Sequence, residues 1–408
     1  MSGKTKGSLL NMINIAIFGF GVVGGGTAEV LTKNADLIAE RVGDRINIKY
    51  ILELRDFPDS PFADKIVHDI NVILNDPEVK ICAELMGGSH PAFEFSKAAM
   101  EAGKSVVTSN KEVVANFGPE LLKIASANNV RYLFEASVGG GIPVIHPIDN
   151  CLRANDISEV DGILNGTTNY ILTKMFNEGM SFDAALREAQ EKGYAERDPS
   201  ADVDGIDTCR KLSILSAIAF GELIPPAKIH TEGIRGVTPK DVALAEKLGA
   251  SIMLIGRAVR HDGKLCATVE PMLVPKANPL SGISDVYNGV MISGNAVGDV
   301  MFYGRGAGKL PTASAVVSDI IDIATYLGHP QHNFTVWDRV ADEKVLESDR
   351  LPSKFMLRFE KKPNHCLCML DAEVIEDSED CYAVVTGEVC PLEIGITLAE
   401  KYTAYRIL

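Results

Sequence analysis

From Asn14 to Phe18 the chain reads NIAIF, a short, nearly unbroken apolar run of the kind that lies inside a parallel sheet with both faces covered. It passes directly into Gly19-Phe20-Gly21-Val22-Val23-Gly24, and a helical pattern follows through Leu31. The alternation repeats downstream. Ile46–Leu52, Ile81–Met86, Ser105–Thr108 and Val130–Phe134 predict further strands, and Phe93–Ala102 a helix. Strands separated by helical stretches predict an α/β fold with a Rossmann-type parallel-sheet domain. The alternation pauses near Val144, which divides the chain into a first domain over 12–144, completed by 305–330, and a central α+β domain over 145–304. A tail over 352–408 predicts strands at Lys354–Glu360 and Tyr382–Val389, a helix at Leu392–Lys401 and a last strand at Tyr405–Leu408. Room for a helix between its first strands is scarce, so the tail buries little surface by itself and is expected to pack on a partner.

The glycine run carries the first chemistry. Gly19 permits a tight turn, Gly21 lets a pyrophosphate approach the backbone, and Gly24 lets helix and strand pack closely, with the helix start facing the phosphates. Phe20, Val22 and Val23 complete that loop; a merely tight β–α turn is the other account of it. The second strand ends at Glu53-Leu54-Arg55: an acid there suits the ribose hydroxyl of NAD, an arginine the extra phosphate of NADP, and both are present. Arg55 and Ser109 tilt the expectation slightly toward NADP. Gly87 follows the third strand where backbone can approach a cofactor, and Lys111 lies in the turn just past the carboxyl end of the fourth, where ligands bind in such sheets. A solvated loop lysine is the alternative. The loop from Glu135 to Pro143 combines a carboxylate with a run of glycines, so it suits either a hard cation or a tight connection. A strand at Ser158–Leu164 leads into Asn165-Gly166-Thr167-Thr168-Asn169, a helix start that can bind an anion or be capped by Thr167 or Thr168.

The most charged stretch, GYAERDPSADVDGIDTCRK at 193–211, places carboxylates at Glu196, Asp198, Asp202, Asp204 and Asp207 before Lys211. Asp202 or Asp204 is expected to cap a helix beginning near Val203. On that helix 207, 211, 214 and 218 share one face, so Asp207 and Lys211 continue the stripe of Ile214 and Ile218. A solvated i,i+4 ion pair would contribute only ~0.3–0.5 kcal/mol and would lie opposite the apolar stripe, whereas this pair lies on it.

Composition bounds the alternatives. A chain of 408 residues with 46% hydrophobic and 23% charged residues is an ordinary globular protein of two or three domains. A formal charge of −15 without a basic cluster argues against nucleic acid and, more weakly, against anionic membranes. No apolar run approaches ~18 residues, and the stretch MSGKTKGSLLNM lacks a long apolar core, so a cytoplasmic protein is expected. The 8 cysteines show no CxxC pair; Cys366 and Cys368 sit two apart and are expected to be reduced thiols.

Taken together, GFGVVG at 19–24, ELMGG at 84–88, TSNK at 108–111, EASVGGGIP at 135–143, GILNGTTNYIL at 162–172, GYAERDPSADVDGIDTCRKLSIL at 193–215 and YGRGAG at 303–308 followed by PTASAVVSDI resemble homoserine dehydrogenase. The resemblance covers about residues 12 to 330 in the family's order. It implies NAD(P)-dependent interconversion of L-homoserine and L-aspartate 4-semialdehyde, in the threonine, methionine and isoleucine branch of amino-acid biosynthesis. It makes Lys211 the catalytic lysine, Lys111 its partner near carbonyl and nicotinamide, and Asp207 the acid that positions substrate and lysine. Glu196 matches the residue holding the substrate ammonium; Asp202, Gly166 and Thr167 match further substrate positions, and Gly306 a return to the cofactor. Glu135, Val138, Gly140 and Ile142 match a sodium-binding loop of one side-chain oxygen and backbone carbonyls. A homodimer or homotetramer is implied, and a tail resembling a shortened ACT-like module, with weak threonine response. The residues alone leave open a dehydrogenase of another small amino-aldehyde or a cofactor-binding sensor, although a sensor need not keep both lysines and both carboxylates.

Overall fold

The computed structural model describes residues 12–329, 333–364 and 367–408; the N-terminal stretch and Cys366 lie outside the described residues. The chain forms two compact units, Met1–Asp149 with Ala307–Asp338 and Asn150–Gly306 with Arg339–Leu408.

In the first unit the strands are β1 (Met12–Phe18), β2 (Arg45–Leu52), β3 (Ile66–Val67), β4 (Val79–Glu84), β5 (Ser105–Thr108) and β6 (Tyr132–Leu133). They form a parallel sheet in the order β3-β2-β1-β4-β5-β6. Ile15, Ala16, Ile17 and Phe18 of β1 are wholly buried, as a central strand covered on both faces requires, and each large side chain contributes ~1.5–3 kcal/mol. The strand order reverses between β1 and β4, so their carboxyl ends flank a crevice. Two helices start beside it: α1 (Val22–Lys33) after β1 and α2 (Lys111–Ala127) after β5. Lys111, read as a turn residue, is thus the first residue of a helix, capped by the Asn110 side chain, which accepts the amide of Val113 at 3.2 Å.

The second unit is built on one long sheet. Its strands are β7 (Ile157–Ile163), β8 (His230–Thr231), β9 (Ala250–His261), β10 (Lys264–Pro275), β11 (Tyr287–Gly294), β12 (Gly298–Arg305), β13 (Phe355–Phe359), β14 (Glu373–Ser378), β15 (Cys381–Val385) and β16 (Thr403–Ile407). The order is β12-β11-β7-β9-β10-β16-β13-β15-β14, with β8 beside β10. Helices α3 (Gly166–Glu178) and α4 (Ile206–Phe220) belong to the same unit. The tail therefore continues this sheet: β16 pairs in parallel with β10, and the tail's own strands run antiparallel in the order fourth, first, third, second. That is the strand order of a βαββαβ module; among the described residues between its first two strands there is a 3-10 turn at Leu367–Leu370 and no longer helix. Its helix is shorter than expected, Pro391–Thr397.

The expectation of a helix from Val203 capped by Asp202 or Asp204 is corrected. Gly205, at φ 81°, separates a short helix, Ser200–Val203, from α4 and caps α4 with no side-chain bond. Both aspartates are engaged elsewhere, Asp204 with Arg235 (2.5 and 3.2 Å) and Asp202 with Asn165.

Candidate active site

In the first unit Gly19 turns the chain off β1 at φ 89°, and its amide donates to Leu52 O at 2.9 Å. A Cβ at Gly24 would lie 2.1 Å from Gly19 O, so only glycine allows α1 to pack this closely. The start of α1 is open: nothing lies within 4 Å of where a Cβ on Gly21 would stand, Val22 is 69% exposed, and the first turn holds no acidic residue. Such a helix start favours an anion. Beside it the Glu53 carboxylate accepts the amides of Phe20 and Leu54, each at 3.0 Å, and of Arg55 at 3.4 Å. Burial raises its pKa, but these bonds outweigh it and hold the carboxyl below its ordinary value. Arg55 instead stands 72% exposed, 5.4 Å from the Phe57 ring centroid.

At the neighbouring strand ends a buried carboxylate that the sequence reading passed over becomes visible. Glu84 accepts Thr108 Oγ1 at 2.7 Å and the amide of Met86 at 2.8 Å. Burial pushes its pKa up to about 7 against those bonds. Thr108 also accepts the amide of Asn110 at 2.9 Å, and Asn110 Nδ2 donates to Gly88 O at 2.8 Å. The tie fixes the turn bearing exposed Gly87, half-buried Ser109 and Lys111. Lys111 stands where the helix dipole disfavours a cation by ~0.3–1 kcal/mol, a placement that helix stability does not explain.

The loop after β6 is organised around Glu135. The Glu135 carboxylate accepts the amides of Val144 (2.6 Å), Ile145 (3.0 Å) and His146 (2.7 Å), so it closes the loop on itself. Glu135 stands in the same segment, 135–142, as the other residues expected to hold a cation. Val138, Gly140 and Ile142 are buried there. Burial and the neighbouring Asp319 charge raise the Glu135 pKa above its ordinary value.

In the second unit β7 ends beside α4. Lys211 Nζ donates to Asp207 Oδ2 at 2.7 Å and to Leu164 O at 2.8 Å, with the two side chains 10% and 5% exposed. The pair sits inward, as its place on the apolar stripe requires. Asn165 joins it to a second carboxylate: Nδ2 donates to Asp202 Oδ1 at 2.7 Å and to Asp207 Oδ2 at 2.9 Å, while Oδ1 accepts the amide of Thr168 at 2.9 Å. The cap of α3 is therefore Asn165, not Thr167 or Thr168. Thr167 Oγ1 donates to Tyr194 O at 2.7 Å and fastens the start of the charged loop to α3, beside Gly166. Burial raises the Asp202 pKa, and the Asn165 bond opposes it. Glu196 is not drawn into this network; it stands exposed on the loop, its backbone carbonyl accepting Gln190 Nε2 at 3.1 Å.

One unit carries a buried lysine–carboxylate pair and the other an open glycine cradle, and comparison with known proteins gives them their family. A sequence profile described as homoserine dehydrogenase matches residues 143–321, and one described as the homoserine dehydrogenase NAD binding domain matches residues 19–135. The homoserine dehydrogenase of Synechocystis sp. is 42% identical over 328 residues, 79% of this chain and 75% of that one. The chain belongs to the homoserine dehydrogenase family. The enzyme is an NAD(P)-dependent oxidoreductase that interconverts L-homoserine and L-aspartate 4-semialdehyde. The crystal structure of the Thiobacillus denitrificans homoserine dehydrogenase superposes with a TM-score of 0.91 at 34% identity, over 98% of this chain and 99% of that one. A hyperthermophilic archaeal homoserine dehydrogenase in complex with NADPH superposes with a TM-score of 0.67 at 30% identity, over 78% and 100% of the two chains. The open start of α1 and the uncrowded Gly21 fit the pyrophosphate of NAD(P). Among the described residues no helix is long and apolar enough to cross a membrane.

Proposed function

We propose that Lys211 is the enzyme's general acid and base, and that Asp207 holds it in place. The observation that carries this reading is the buried Asp207–Lys211 pair, with Leu164 O as a second acceptor on the ammonium. When bound, NAD(P) supplies or accepts the hydride. In homoserine oxidation Lys211 acts as the neutral amine, taking the proton of the γ-hydroxyl and becoming the ammonium; in reduction the ammonium gives that proton to the oxygen as the oxygen gains charge. Asp202 and the exposed Glu196 provide negative charge for the substrate ammonium, and Gly166 and Thr167 open the helix start that receives its carboxylate. Lys111 takes the role near carbonyl and nicotinamide that the family resemblance gives it. Gly19, Phe20, Gly21, Val22, Val23 and Gly24 cradle the pyrophosphate, with Gly87, Ser109 and Gly306 as further cofactor contacts. Lys211→Ala is expected to lower kcat by ~10²–10⁴ while cofactor binding persists, the range for loss of a general acid/base. A variant turning over at the parental rate overturns the assignment.

The same reading extends to a cytoplasmic homodimer or homotetramer and to a sodium ion held at Glu135, Val138, Gly140 and Ile142. The oligomer is supported by β12, an edge strand of the second unit's sheet that exposes Met301 (41%) and Tyr303 (55%). Sedimentation of the intact chain tests it, a monomer at all concentrations being the contrary result.

A further inference from the structure

Asn288, in β11, is 1% exposed, yet neither its Nδ2 nor its Oδ1 has a hydrogen-bond partner among the described residues. A buried carboxamide with both ends unmet is rare in a folded protein and calls for a reason beyond packing. Its position supplies one. Gly162 of β7 pairs with Val290 on one side and Gly256 on the other. A Cβ on Gly256 would point at Thr208 Cγ2 (3.1 Å) and Leu212 Cβ (3.6 Å) of α4. That row of the sheet faces α4, and because side chains alternate along a strand, Asn288, two residues before Val290, faces it too. Gly289 pairs with Ile163, so Asn288 lies level with Leu164, whose carbonyl accepts Lys211 Nζ. The amide also lies flat on Gly306: a Cβ there would fall 2.0 Å from Nδ2 and 2.1 Å from Cγ. Glycine at 306 thus keeps the carboxamide where it is.

We propose that Asn288 is a substrate-binding residue of this enzyme, an inference that rests on the reading of Lys211 and Asp207 as the substrate site. A carboxamide offers an acceptor and a donor side by side. The ammonium and carboxylate of an α-amino acid need that pair: Oδ1 accepts from the ammonium and Nδ2 donates to the carboxylate. Both ends are unmet because the substrate, not the protein, completes them. Asn288 gives the site a neutral partner for the amino-acid end, where Asp202 and Asp207 offer only acceptors.

Asn288→Leu and Asn288→Ala test this beside the parent and Lys211→Ala. In Asn288→Leu the KM for L-homoserine is expected to rise by about tenfold or more, with kcat and the coenzyme KM changed by less than about threefold, the pattern of a lost substrate contact. Its unfolding midpoint is expected at or above the parent's, because removing an unmet buried amide costs the fold nothing. Asn288→Ala gives the same KM shift with a lower midpoint from the space it leaves. A homoserine KM within about twofold of parental in either folded variant overturns the inference, and so does a rise confined to the coenzyme KM. If neither variant folds, the amide is structural and the inference fails as well. Should Lys211→Ala keep the parental rate, the substrate-site reading itself fails; with Lys211→Ala inactive and homoserine KM unmoved, the Asn288 assignment alone falls.

Discussion

Asn165 shows how one side chain sets the electrostatics of the proposed substrate site. Its two N–H groups go to Asp202 and Asp207 while its oxygen caps α3, so both carboxylates must act as acceptors and both are steadied as anions. Asn165→Ser keeps a capping oxygen and loses the donors. Asp202, already raised by burial, then rises further, and the acid limb of kcat/KM for homoserine is expected to move up by roughly one pH unit. An unmoved limb with a lowered rate would reduce Asn165 to a helix cap. Glu53 sets a second choice. Its carboxylate is pinned beside the glycine loop by three amides, whereas Arg55 is exposed, and in the proposed reading the two oppose each other over the ribose 2′-phosphate that distinguishes NADP from NAD. Glu53→Ser is expected to raise the NADP:NAD ratio of kcat/KM by ~10-fold, and Arg55→Ala to lower it, each being about one charged contact. A ratio unchanged in both variants would place the coenzyme's ribose elsewhere. Local spacing revealed Asp207 and Lys211, because four residues along a helix fix a shared face. It could not reveal Asn165 or Asn288, whose roles come from partners brought near by the fold.

The strand ends of the first unit behave as an element rather than as separate residues. Glu84 ties β4 to β5 through Thr108, and Thr108 ties the turn that starts α2 at Lys111. A carboxyl whose folded pKa, about 7, exceeds its ordinary 4.5 keeps its proton in the folded state across that window. The folded state then holds more protons than the unfolded one, so stability declines as pH rises from 4.5 to about 7, by up to roughly 3 kcal/mol. Glu84→Gln is expected to flatten the decline in unfolding midpoint over this range, and an equal slope in both proteins would show that Glu84 is ionised throughout. The apolar strand β1 was legible in the sequence because burial on both faces demands an unbroken apolar run. β14, EVIEDS, was legible only as a strand-like stretch ending at Ile375, because it is an edge strand with exposed carboxylates and little apolar pattern. The split before α4 escaped as well, since the glycine that makes it lies within an otherwise helical run.

At the scale of the molecule the tail closes the second unit's sheet. Arg406 of β16 is 2% exposed; it meets Glu270 at 2.9 Å, Leu351 O at 3.2 Å and Ser353 Oγ at 2.5 Å, and lies 4.9 Å from the Phe355 ring. Arg358 meets the buried Asp241 at 2.6 Å. Removing one partner of such a pair costs ~3–5 kcal/mol, so Arg406→Leu is expected to lower the unfolding midpoint clearly. Truncation before Pro352 bares the edge of β10 and is expected to reduce stability or change oligomer size; a truncated chain as stable as the parent would make the tail an ornament. The module's strand order was only partly legible, since its middle strand is polar. An effector site in such a module is expected at the start of its first helix, and here the described residues between β13 and β14 hold the 3-10 turn Leu367–Leu370 and no longer helix, too short a turn to present a helix start to a carboxylate. The stretch expected to bear the site runs through Lys362, Pro363 and Asn364 to His365 and Cys366, the last two outside the described residues. Its tail core, Phe355, Leu357, Phe359, Tyr382, Val384 and Ile394, is already filled by its own side chains. Threonine at millimolar concentration is therefore expected to inhibit weakly or not at all and to leave the unfolding midpoint unmoved. Strong inhibition accompanied by a raised midpoint would make the tail a working sensor.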